Sequence, residues 1–277
     1  MSPDAEALQL RVHPAGNAPT LVYLPGLHGD WTLVSSFRAA VAGRARFVEF
    51  TYPRTLTWSV TDYADAIERA LLDHGIQRGW LLGESFGSLI AWAMLTPERR
   101  TRTPHFEPEG LILAGGFVRH PLPFGARLLR RLGEALPMGP YRALLAGYAA
   151  FGRFRHRHAP ETLASLAEFV ARRTALDRQA MRARLELVAR ADFRAVACAT
   201  TLPVCYLAGL VDPLVPWPFV RWWLRRNCPG YRGGKTFWLA DHNVLSTASR
   251  PAANYILRWI EAARAPDADA TSAQERR

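Results

Sequence analysis

The chain has 277 residues, 49% of them apolar, and carries 35 Lys and Arg against 24 Asp and Glu, a formal charge of +11. That length and apolar content suit one sizeable globular core plus an insertion. No uninterrupted apolar run approaches the roughly eighteen residues of a membrane helix. The N-terminus lacks a basic stretch followed by an apolar one, so the reading is a soluble, cytoplasmic protein without a leader. Cys198, Cys205 and Cys228 show no C-x-x-C spacing and leave an odd count, which favours buried thiols over a disulfide framework or a metal site.

In chain order, Ala7 to Val12 reads as a short leading strand and Leu21 to Leu24 as the first strong one. The latter runs into the glycine turn Pro25-Gly26-Leu27-His28-Gly29-Asp30, with a helix from Trp31 onward. Phe47 to Thr51 is the next strand, and Asp62 to Leu72 has the period of an amphipathic helix. Trp80-Leu81-Leu82 leads as a strand into Gly83-Glu84-Ser85-Phe86-Gly87, after which Ser88 to Leu95 is helical. Gly110 to Gly115 is another buried strand. Strands alternating with helices imply a mostly parallel sheet covered on both faces, with ligands at its carboxyl edge.

Between Phe117 and Thr201 the strand signals stop and helical patterns, broken by prolines, take over. Residues 119 to 194 hold 15 arginines against six acids, most of the basic excess. The pattern Met181-Arg182-Ala183-Arg184-Leu185-Glu186-Leu187 reads as a solvated helix face, and Arg153-Phe154-Arg155-His156-Arg157-His158 as a basic surface or an anion or partner contact. No nucleic-acid-binding motif accompanies these arginines, so nucleic acid is not expected as a partner. Strands resume with Pro203 to Gly209, which ends in Leu210-Val211-Asp212-Pro213. A last strand is expected over Lys235 to Leu239, followed by Ala240-Asp241-His242-Asn243. Residues 265 to 277 are polar, Ala-rich and without periodicity, the composition of a disordered tail.

The informative motif is Gly83-Glu84-Ser85-Phe86-Gly87. In a G-x-S-x-G turn between strand and helix, the glycines allow a tight bend and leave the serine hydroxyl open to a substrate and a base. A serine nucleophile needs a general base, and the base needs an acid to fix its tautomer. Asp212 and His242 follow in the order Ser, Asp, His, each at the exit of an expected strand. Taken singly, Asp212 can be a turn residue before proline, His242 a loop histidine and Ser85 part of a Gly-rich turn. The backbone N–H of Phe86 is one expected oxyanion donor, and the Leu27 N–H or that of a neighbour the other. Glu84, inside the turn, would need an enclosed partner, arginine or backbone, and Asp241 is read as a solvent-facing or turn acid.

With these motifs the chain resembles the α/β-hydrolase superfamily, in its small lid-bearing carboxylesterase-like branch, over residues 20 to 118 and 200 to 262. Many relatives end the strand that leads into the oxyanion loop in His-Gly, whereas this chain has Pro25-Gly26 there and His28-Gly29 two residues later. The resemblance implies a core of residues 1–118 and 201–264, a helical lid over 119–200, and a carboxylesterase for small to medium apolar esters that needs no metal or organic cofactor. Candidate pocket residues are His28, Trp31, Phe117, Phe124, Tyr141, Tyr148, Phe151 and Trp217, although aromatic residues of the insertion can equally pack its own helices. Thioester, amide and carbon–carbon bond hydrolysis, acyl transfer and perhydrolysis use the same triad. A ligand receptor that keeps the site is the alternative from another class.

Overall fold

The structure is a computed structural model; it describes residues 7–101, 103–122 and 174–264, with isolated positions between 143 and 167. Seven strands form one sheet in the order β1-β3-β2-β4-β5-β6-β7. They are β1 (Gln9–His13), β2 (Thr20–Leu24), β3 (Arg46–Thr51), β4 (Arg78–Glu84), β5 (Glu107–Ala114), β6 (Val204–Gly209) and β7 (Tyr231–Phe237). Only β1, at one edge, runs antiparallel to its neighbour; all other pairings are parallel.

Side chains alternate across a strand, so consecutive apolar residues feed two cores. Val22 and Leu24, Leu81, and Leu111 and Leu113 point to one face, where they pack with helices α2 (Val60–Asp73), α3 (Gly87–Met94) and α7 (Trp217–Asn227). Leu21 and Tyr23, Trp80 and Leu82, and Ile112 point to the other. There they meet Phe37 and Val41 of α1 (Ser35–Val41), Val244 and Leu245 of α8 (Val244–Thr247), and Ile256 and Ile260 of α9 (Ser249–Arg264). The near-continuous apolar sequences of β2, β4, β5 and β6 are therefore those of strands covered on both sides. Ser59 caps α2: its hydroxyl accepts from the Asp62 N–H at 3.2 Å while the Asp62 carboxylate returns to the Ser59 N–H at 2.7 Å.

Two elements differ from the sequence reading. The last strand begins at Tyr231 and ends at Phe237, so Trp238 and Leu239 lie beyond it and are 78% and 85% exposed. The apolar run mimics a strand end, whereas the paired stretch Tyr231-Arg232-Gly233-Gly234 looks like a turn in sequence. The helix expected from Trp31 opens as a short 3₁₀ turn, Thr32–Val34, before α1. Of the segment 119–200, the structure describes α5 (Ala175–Arg190) and α6 (Arg194–Ala199). The tail expected over 265–277 falls outside the described residues. Among the described residues no helix is long and apolar enough to cross a membrane.

A short helix missed in sequence, α4 (Pro97–Arg100), carries a buried cation. Arg99 reaches Asp65 at 2.8 Å, Glu68 at 3.3 Å and the Thr61 carbonyl at 3.0 Å, and Glu68 also accepts from the Phe106 N–H at 3.0 Å. This network ties α2 to the segment that leads into β5. Arg99→Met removes the cation and strands Glu68 in a buried site, so urea unfolding should show a loss of about 3 kcal/mol. A loss below about 1 kcal/mol would mean that Glu68 is already well solvated.

Candidate active site

At the end of β4 the chain must turn from strand to helix within one residue. Ser85 does this with φ 49°, the left-handed region that costs a non-glycine residue about 1 kcal/mol or more. Its N–H is held by the Ala114 carbonyl of β5 at 3.0 Å. Gly87 follows with no room for a side chain, since a Cβ there would stand 2.7 Å from the Leu24 carbonyl carbon and 2.8 Å from the Pro25 oxygen. Gly83 faces the main chain of Ser88 as closely. The Ser88 hydroxyl lies 2.6 Å from the Ser85 carbonyl and 3.1 Å from that of Phe117, and it accepts the Phe117 N–H at 3.0 Å. Sequence reading missed this brace; its only signal was a small polar residue in an otherwise apolar helix.

Asp212 stands three residues beyond β6. One carboxylate oxygen accepts from the N–H groups of Leu214 and Val215, at 2.8 and 2.9 Å, and the other faces His242 Nδ1 at 2.8 Å. With Nδ1–H donating to Asp212, His242 Nε2 is left to accept from the Ser85 hydroxyl, 2.8 Å away. The side chains of Ser85, His242 and Asp212 thus form one hydrogen-bonded chain across the carboxyl ends of β4, β6 and β7. Burial lowers the pKa of His242, but the hydrogen bond and charge of Asp212, followed by the charges of Glu84 and Asp241, outweigh it, and the net shift is upward. Asp241 accepts the Asn243 N–H at 2.9 Å, as a turn acid does.

Glu84 is 3% exposed and takes a partner other than the arginine or backbone donor expected: the Tyr23 hydroxyl of β2, at 2.5 Å. Burial raises its carboxyl pKa, and the Tyr23 hydrogen bond and the charge on His242 offset part of that rise. The parallel pairing of β2 with β4 brings the two residues together, a proximity no local sequence pattern reports.

Phe86 directly precedes α3 as its N-cap, with helical backbone angles, so its N–H lies at the helix start, where amides have no partner within the helix. The second expected donor lies in a tight turn closed by Gly29 N–H to the Gly26 carbonyl at 3.0 Å. Gly26 abuts Ser85: a Cβ there would stand 3.4 Å from Ser85 Cβ. Leu27 therefore follows directly on the residue that touches Ser85.

The candidate pocket residues scatter. Trp31 is buried in the core beneath α1 and carries the Arg11 guanidinium 3.9 Å above its ring, so it is packing and no cleft wall. Phe117 is also core, with its ring edge-on to His120 at 5.0 Å. His28 lines a cleft of about 120 Å³ with Gly29, Arg54, Asp177 and Arg184. Trp217 lines a separate groove with Arg221, Trp222 and Arg225. Phe124, Tyr141, Tyr148 and Phe151 lie outside the described residues. A cleft of about 380 Å³ that the sequence did not reveal is lined by His120, Arg194, Phe219, Trp222 and Trp223 among others. Burial lowers the pKa of His120, partly offset by hydrogen bonds with the main chain of Leu122 and Leu214. Among the described residues no group of three or more His, Cys, Asp or Glu side chains gathers as a metal site.

No family model matches the chain, and no curated protein matches it in sequence. Similar solved structures are numerous. A thermophilic esterase from Thermogutta terrifontis is 19% identical, with a TM-score of 0.72 over 92% of this chain and 93% of that one. An enol-lactonase from Burkholderia xenovorans LB400 is 17% identical, with a TM-score of 0.72 over 92% and 96%. An esterase from Exiguobacterium antarcticum is 15% identical, with a TM-score of 0.71 over 92% and 95%. At these identities the likeness speaks to architecture, and with the mostly parallel seven-stranded sheet it shows that the chain has the α/β-hydrolase fold.

Proposed function

We propose that the protein is a serine hydrolase, a carboxylesterase acting on small to medium, largely apolar esters. The observation that carries this reading is the chain of contacts from Ser85 Oγ to His242 Nε2 and from His242 Nδ1 to Asp212, with Ser85 in the left-handed backbone of a strand-to-helix turn. Two of the similar structures are esterases and one a lactonase, which favours acyl transfer from oxygen to water.

Ser85 Oγ adds to the ester carbonyl as its proton passes to His242 Nε2, and Asp212 steadies the imidazolium. The Phe86 and Leu27 N–H groups take the charge on the tetrahedral oxygen. Collapse expels the alcohol, which takes its proton from His242, and leaves an acyl-Ser85 ester. Water, deprotonated by the same His242, adds to that carbonyl and releases the acid. The segment 119–200 serves as the lid, and Phe219, Trp222 and Trp223 offer apolar area for the acyl or alcohol group.

Hydrolysis across a panel of p-nitrophenyl esters, a thioester, an anilide and a lactone tests the reading. Ester turnover should dominate, and Ser85→Ala should lose about 10⁴-fold or more in kcat without a change in fold. A wild type that turns over none of these substrates, or a Ser85→Ala variant that keeps its rate, contradicts it.

Because catalysis needs neutral His242, kcat/KM should rise with pH through a value above the ordinary 6.5 of histidine. Stability should run the other way. A folded pKa above the unfolded one favours the protonated native state, so that contribution is whole below the unfolded pKa and disappears as pH rises through the folded one. A pH–rate profile with its midpoint below 6.5 would show that burial, and not Asp212, dominates at His242.

A further inference from the structure

The helix α5 sends a cation into the protein. Arg184, in a stretch that reads in sequence as a solvated face, is 2% exposed. Its Nη1 donates to the Leu27 carbonyl at 3.0 Å, its Nη2 to the Pro53 carbonyl at 3.0 Å, and its Nε to the Tyr63 hydroxyl at 3.2 Å. The guanidinium carbon lies 5.4 Å from the Tyr52 ring centroid and 5.9 Å from that of Tyr63. Three directed hydrogen bonds, one from each nitrogen, and two ring faces hold the planar fork without an acidic partner among these contacts.

Gly29 makes the space. A Cβ on it would stand 2.6 Å from the Arg184 guanidinium carbon and 2.8 Å from Nη2, and its φ of 77° is itself a glycine conformation. The recess in the loop and the cation that fills it therefore match. The same loop is tied twice more, by the Tyr52 N–H to the Gly29 carbonyl at 2.7 Å and by the Tyr52 hydroxyl to the Pro25 carbonyl at 3.1 Å.

We propose that Arg184 is a positioning residue that clamps the Gly26–Gly29 loop against Ser85 and so aims the Leu27 N–H at the oxyanion; this rests on the serine-hydrolase reading. The argument is one of peptide geometry. A trans peptide points its N–H opposite to its carbonyl, so the direction of the Leu27 N–H is set by the Gly26 carbonyl, which the turn to Gly29 holds. The next carbonyl along, that of Leu27, is the one Arg184 holds. With both carbonyls held, the two consecutive peptide planes that meet at the Leu27 Cα are fixed relative to each other, and the donor on the first of them is preorganised before charge develops. The clamp also couples α5, in the segment read as the lid, to the catalytic loop.

The test compares Arg184→Ala and Arg184→Lys with wild type in ester hydrolysis, with amide hydrogen exchange of the 26–29 segment as a readout independent of activity. In Arg184→Ala, kcat should fall on the order of 10²-fold, the loss typical of one misplaced oxyanion donor, with KM within about twofold and the pH midpoint unmoved. Exchange at 26–29 should quicken while that of β4 stays slow. Guanidinium chloride at non-denaturing concentration should restore at least about tenfold of the loss, through the cleft lined by Gly29 and Arg184, where equal sodium chloride does not. Arg184→Lys keeps the charge but cannot span both carbonyls, so it should remain impaired and serves if the alanine variant fails to fold. The proposal is overturned by variants within twofold of wild-type kcat and exchange, or by losses in kcat and KM together that guanidinium does not repair. If wild type itself hydrolyses no ester and a phosphonate leaves Ser85 unlabelled, the hydrolase reading fails. The exchange comparison still decides the clamp: faster exchange at 26–29 supports it and unchanged exchange ends it.

Discussion

The left-handed backbone at Ser85 is the constraint on which the rest of the site depends. Among the described residues it is the one non-glycine position with positive φ, and its strain persists because the surroundings leave no alternative. Gly87 lies on the end of β2, Ser88 bridges to Phe117, and the Ser85 N–H is tied to β5. The ties end on the two strands that flank β4, namely β2 and β5 with its exit. The hydroxyl is thereby fixed over the carboxyl edge of the sheet, where the exits of β6 and β7 bring Asp212 and His242 within one hydrogen bond of each other. A looser turn would lose the 2.8 Å approach to His242 before it lost the fold.

Buried charge recurs through the fold, and its arrangement explains part of a puzzling composition. The basic surplus is not wholly a surface property, since Arg99, Arg178 and Arg184 are all buried. Arg99 meets acids and serves packing, whereas Arg184 meets carbonyls and a phenol and holds a loop. Next to Ser85, Glu84 is enclosed with Tyr23, and burial pushes both groups towards their neutral forms. The carboxylate that orients the His242 ring is that of Asp212, 2.8 Å from Nδ1 and itself anchored by two N–H groups, whereas Glu84 is engaged with the Tyr23 hydroxyl.

Much of this was legible in the sequence because strands covered on both faces leave apolar runs, and because a sharp strand-to-helix turn demands glycines at fixed offsets. Ser85, Asp212 and His242 could be placed on strand exits for that reason. What escaped notice depended on partners distant in the chain. Glu84 finds Tyr23 only through the β2–β4 register. Arg184 was read as solvated from its charged neighbours, yet Ala180, Arg184 and Val188 fall four residues apart on the buried stripe of α5. That spacing was the available signal. The end of β7 was misplaced because Trp238 and Leu239 are apolar but lie beyond the last paired residue, Phe237.

The central claim is that Ser85 carries the acyl group between two halves of a reaction. Its most direct test is to mix the protein with an ester whose acyl intermediate is slow to hydrolyse, quench in acid, and map the mass of the peptide that contains Ser85. The account predicts one acyl group per chain on Ser85 at early times, decaying at the rate of turnover and failing to form in Asp212→Asn at a comparable speed. Turnover with unmodified Ser85 throughout, or an acyl group carried by another residue at the catalytic rate, would contradict it.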